Sequence, residues 1–255
     1  MLWYKSWLET RSRFLVGLVL LCASACALVL GYPQVSKLLP MAGSVDTSGE
    51  IGRRIKEAAE LQSTYRGYIW SQWFGQNLRQ MWTLFAVILG SGGLRSQSSG
   101  GAALFTLSLP ASRRQIIGVR AAIGLAELFA LALVPSLVIP LLSPAVSESY
   151  GLGAVLVYSS CLFIAGSVFF SLTSFLSTVF DDVWRPALVA CLMVFVLGLF
   201  EEVAGAASFY GVFRAMSGGD YFFTGALPWL AVPLLAAVSA GFLHAAAVNI
   251  ERHDF

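Results

Sequence analysis

The chain has 255 residues, of which 57% are hydrophobic and 12% charged, with a net charge of +2 and a mean hydropathy of +0.75. A soluble globular domain carries about a quarter charged residues, so this composition excludes an ordinary water-soluble fold and points to lipid as the solvent. The basic residues are scattered, which excludes the dense positive surface of a nucleic-acid binder.

Taken in chain order, residues 1–13 interleave Leu2, Trp3 and Trp7 with Lys5, Glu9 and Arg11. That pattern predicts an amphipathic helix lying at the membrane surface. A hydrophobic span follows near 14–32. Its small-residue stretch Ala23-Ser24-Ala25-Cys26 superficially resembles a signal cleavage region, but the long aromatic lead with Glu9 and the later spans favour an uncleaved helix. An outer loop covers 33–73, with a polar helical stretch over roughly 50–65.

The second span is expected near 74–94. Gln72, Gln76, Arg79, Gln80 and Thr83 share one face of an ideal α-helix there. Polar groups at membrane depth face a bundle interior or a water-filled path, so this face is a candidate for a translocation path or a dimer contact. The alternative is that the helix begins farther out and these residues sit among headgroups, with Arg79 snorkelling.

Further spans are expected near 118–142, 152–179, 186–204 and 225–249, giving six in all. Glu127 is a carboxylate inside the third, at about 13 Å from its inner end. Arg79 lies about 7 Å from the outer end of its own span, so the two differ in depth by about 10 Å and a direct ion pair is not expected. Glu127 is therefore either an ion-coupling or path residue or a structural hydrogen-bonding group. Pro135 and Pro140 predict a bend in the same span.

Enzyme readings find little to stand on. Glu201-Glu202 invites comparison with paired-glutamate intramembrane metalloproteases, but His244 is the only histidine within a span, and zinc needs three or four close ligands. There is no Gly-x-Ser-x-Gly elbow and no P-loop. The only lysines are Lys5, Lys37 and Lys56, and none follows a glycine. Cys22, Cys26, Cys161 and Cys191 all lie in apolar runs and read as small packing residues.

The segment Leu107-Ser108-Leu109-Pro110-Ala111-Ser112-Arg113-Arg114-Gln115-Ile116 is a stop followed by a restart. Pro110 blocks helix continuation, Ser112 is placed to cap the next helix, and Arg113 and Arg114 hold that helix end at the membrane surface. Such an element either docks into a soluble partner or is an ordinary anchored loop.

This segment resembles the leucine–proline–small–serine–arginine–basic loop of permease subunits of type-2 ATP-binding-cassette exporters. The opening Met1–Lys5 through Glu9-Thr10-Arg11 looks like that family's N-terminal interface helix, and the span pattern is also similar. The resemblance implies that the loop over 95–117 carries a short cytoplasmic coupling helix. Leu107, Leu109, Pro110, Ser112, Arg113, Arg114 and Gln115 would then contact a separate ATPase subunit. It further implies a second permease subunit, identical or not, and no cofactor on this chain, with ATP and Mg on the partner. The alternatives are an ATP-independent ion-coupled carrier and, more remotely, the metalloprotease-like enzyme.

The expectation is thus an all-α polytopic protein forming a single transmembrane domain over 1–255. Lys and Arg divide 9 to 7 between inner and outer segments when the N-terminus is placed inside. Both termini are therefore expected in the cytoplasm, and the short loops suggest a prokaryotic inner or plasma membrane.

Overall fold

Within lipid a backbone must satisfy its own hydrogen bonds, so long apolar runs resolve into helices. The computed structural model bears this out: it describes residues 2–42, 49–92, 113–180, 182, 184–204 and 211–252, which are helical apart from short turns, with no strand among them. In order these are α1 (Leu2–Ala42), α2 (Glu50–Gln62), α3 (Tyr65–Ile69), a π-helical segment (Trp70–Asn77) and α4 (Leu78–Gly90). Then come α5 (Arg113–Leu142), a 3-10 turn (Ser143–Val146), α6 (Leu152–Val179), α7 (Trp184–Ala204), α8 (Val212–Ser217), α9 (Gly219–Thr224) and α10 (Ala231–Arg252).

Five stretches are long and apolar enough to cross a membrane: Trp3–Lys37, Ile117–Val146, Leu152–Val179, Trp184–Val203 and Ala231–Ile250. They are compatible with a multi-pass membrane protein. The α6 window is 72% buried and the α7 window 11%, so α6 is the axis of the bundle and α7 a peripheral helix. Around α6 stand α10, α5, α4 and α8, while α1 lies along α5 and α4.

Small residues set the spacing, as they do where lipid gives helices no hydrophobic reason to associate. Ser239 of α10 meets Ser171 at 2.5 Å and Ser167 at 3.1 Å. Each α6 serine also donates to its own helix, Ser171 to Ser167 O and Ser167 to Ile164 O. Those local acceptors survive removal of Ser239, so Ser239→Ala is expected to cost only about 0.6 kcal/mol, the mean for such interhelical bonds. Chemical denaturation in mixed micelles would measure it.

Three expectations change. Residues 2–13 do not form a separate surface helix: α1 runs without a break through Arg13 and Phe14 into the first span. No residue there interrupts it; Thr10 is satisfied within the helix by Ser6 O at 3.2 Å, and the first proline is Pro33. The second span is drawn as three consecutive pieces from Tyr65 to Gly90, each too short to cross a membrane alone. It opens earlier than expected because Thr64 caps it, accepting from Gly67 N–H at 3.2 Å. The last long helix begins at Ala231 rather than near 225. Gly225, at φ 74°, terminates α9, and Pro233 falls in the first turn of α10, where a missing N–H is harmless.

The end of the bundle carrying the start of α1, here the proximal end, is polar. Glu9 lies 4.0 Å from Arg120 and 3.9 Å from Lys5, and Arg13 donates to Ile88 O at 3.1 Å. At the distal end, Tyr32 packs on Tyr65 and Tyr68, and the Tyr68 hydroxyl donates to Leu28 O at 3.2 Å. Pro135 and Pro140 lie inside α5 without ending it.

Candidate functional site

A cleft of about 610 Å³ opens between α4, α7 and α8. Its apolar walls include Leu84 and Val87 of α4 and Val194, Phe195 and Leu199 of α7; its polar groups are Arg79, Gln80, Thr83, Glu201, Glu202 and Arg214. Arg79 stands 5.5 Å from the centroid of the Phe213 ring, a cation over a π face. The ring is stacked on Phe169 at 5.4 Å. Glu201 and Glu202 lie near enough to act on Arg79 electrostatically.

Glu201 has a second task. Its oxygens accept the Phe213 N–H at 3.0 and 3.3 Å, which fixes α8 against α7 and holds the ring that faces Arg79. Arg214 is tied down by two bonds to Asp220, at 3.0 and 2.8 Å. Glu201 and Arg214 are thus positioned by short-range bonds, and the polar groups face a cleft with apolar walls. Such a surface suits an amphiphile, or water beside one.

Of the expected polar face, Arg79, Gln80 and Thr83 are brought together in the cleft, while Gln72 and Gln76 are not among its lining residues. The reason is the π-helical segment over Trp70–Asn77. Its wider turn advances each residue by a smaller angle than an α-helix does, so the five positions share no single stripe. The anchors of that segment are Trp70, whose Nε1–H donates to Ser217 O at 3.0 Å, and Trp73, whose Nε1–H donates to the Ser136 hydroxyl at 3.2 Å.

Glu127 is not in the cleft. It is buried between α5 and α1, where its Oε1 lies 2.5 Å from the Thr10 hydroxyl. As expected, it does not pair with Arg79. The partners of Arg79 that the sequence reading missed, Glu201 and Phe213, carried one legible signal: the cation and the paired acids both lie within about two turns of a span's outer end. Glu201 is not merely a solvated helix end, since it caps α8.

Of the segment over 95–117, Leu107, Leu109, Pro110 and Ser112 lie outside the described residues. Arg113, Arg114 and Gln115 open α5, and Gln115 is exposed. Among the described residues no three His, Cys, Asp or Glu side chains converge as a metal site would require.

No family model matches the chain, and no curated protein and no solved structure matches it.

Proposed function

We propose that the chain is the transmembrane permease subunit of an ATP-binding-cassette exporter, moving an amphiphilic substrate outward with energy from a separate ATPase subunit. The observation that supports this reading most is the segment Leu107–Ile116, whose basic pair stands at the first turn of α5. A partner docked there would push directly on α5. The contacts Glu9–Arg120 and Arg13–Ile88 O would pass that push to α1 and α4, and α4 forms one wall of the cleft. On this reading the pieces from Tyr65 to Gly90 together form the sixth span, the proximal end is cytoplasmic, and a second permease subunit stands beside the first.

The test is co-purification in mild detergent. The native chain is expected to bring down a P-loop ATPase, and the variant Leu109→Asp/Arg113→Glu/Arg114→Glu to lose it by at least about tenfold, as charge reversal at a docking surface does. A native chain that repeatedly purifies intact but alone, without ATPase activity, sinks the proposal.

A second reading, an ion-coupled carrier without ATP, is favoured by one observation: the buried carboxyl of Glu127. Transport into energised vesicles that lack ATP would distinguish it.

A further inference from the structure

Glu127 is the only buried carboxyl among the described residues, 3% exposed, and its partner Thr10 is 5% exposed. The Thr10 oxygen has three acceptors in reach, Ser6 O at 3.2 Å, Trp7 O at 3.4 Å and Glu127 Oε1 at 2.5 Å. A hydroxyl has one proton. If Glu127 is ionised, Thr10 must choose between the carboxylate and the carbonyls of its own helix, and Oε2, which has no partner among the described residues, bears charge in an apolar site. That arrangement is costly. If Glu127 is protonated at Oε1, the geometry closes: the carboxyl O–H donates to Thr10 Oγ1, and Thr10 donates to Ser6 O. Oε2 is then a neutral carbonyl oxygen, the cheapest polar atom to leave bare.

The geometry points to Glu127 as a proton-binding site, whose bound proton latches α1 onto α5 through Thr10 and whose loss releases that latch.

The surrounding charges do not supply an alternative partner. On α1, Lys5 and Glu9 join the Arg120 cluster and Arg13 is engaged at Ile88 O. On α4, Arg79 faces the cleft. Cys161 of α6 and His244 of α10, the nearest ionisable groups in sequence to the serine contact between those helices, make no hydrogen bond or ion pair with Glu127. Among the described residues the Glu127 carboxyl thus has no cation to hold it ionised. The latch is present while the proton is bound and lost as pH rises, the sense of any group whose neutral acid is the bonded form. This inference concerns α1 and stands whether or not the cleft carries a substrate.

The experiment is hydrogen exchange of the full chain in lipid nanodiscs, followed over residues 2–13 and corrected for intrinsic rates. As pH is raised from acid to alkaline, the native segment is expected to lose about tenfold in protection. Glu127→Gln, whose amide donates to Thr10 at every pH, stays protected throughout. An infrared carboxylic-acid band present in the native protein near neutral pH is expected to vanish in Glu127→Gln. The same pH profile in both proteins, or no such band, overturns the proposal. Should Glu127→Gln fail to fold, Thr10→Ser keeps the pH response and Thr10→Val abolishes it; equal responses in those two also overturn it.

Discussion

Gly166→Ala is expected to destabilise the protein by about 1–3 kcal/mol, the cost of overpacking a filled interior. An added Cβ would stand 2.3 Å from Cζ3 of Trp82 and 2.9 Å from Cε of Met216. The methionine end can swing away, but the indole cannot. Trp82 is fully buried, and its Nε1–H donates to Leu128 O at 2.9 Å. Moving the ring forfeits that bond, worth about another 1 kcal/mol. The check is a thermal unfolding series in detergent with Gly241→Ala as control, since nothing lies within 4 Å of a Cβ at Gly241. In the helical interior that control gains about 1 kcal/mol of propensity. Opposite signs at the two glycines are the expected result; equal shifts would show that α4 and α6 are not in the close contact described.

The second large effect is at Arg79. Arg79→Met removes a cation from the Phe213 ring, at a cost of about 1 kcal/mol for a partly solvated pair. Arg79→Glu does more, because it sets a third carboxylate beside Glu201 and Glu202 and presents an anion to the negative face of an aromatic ring. It is expected to cost about twice as much, and Glu202→Gln in the same background is expected to recover part of the loss. Denaturation midpoints for the four proteins settle the comparison. If Arg79→Glu and Arg79→Met prove equal, the two glutamates do not act on this position.

The long apolar stretches were the legible part of this fold. Leu152–Val179 is drawn over the same residues that hydropathy marks, because in lipid a run of that length has one low-energy backbone. Glu50–Gln62 likewise falls within the expected polar helix. What sequence periodicity could not supply was phase. The α-helical wheel that united Gln72 with Thr83 assumes a uniform turn, and the π-helical segment removes that assumption. The helix expected over residues 2–13 is continuous with the first span rather than separate from it. Thr10 looks like a surface residue beside Glu9 and Arg11, but its hydroxyl is buried against a carboxyl 117 positions away. Arg79, Gln80 and Thr83 were found by their polarity at membrane depth. Phe213 and Glu201 were not, since what joins them is a backbone N–H that no pattern of side chains reveals.

The uninterrupted 41 residues of α1 have a mechanical consequence. At 1.5 Å per residue the helix is about 61 Å long, roughly twice the thickness of a hydrocarbon core of about 30 Å. It is pinned near its start by Thr10 and Arg13 and, past its midpoint, by Leu28 and Tyr32. The stretch ahead of Pro33 behaves as a lever: rocking it by about 5° about the helix midpoint displaces the starting tip by about 2–3 Å and Tyr32, about 15 Å past the midpoint, by about 1 Å in the opposite direction. The tyrosines around Tyr65 and Tyr68 are thereby geared to the charged cluster at the opposite tip through one rigid body, with no chain of side-chain rearrangements between them.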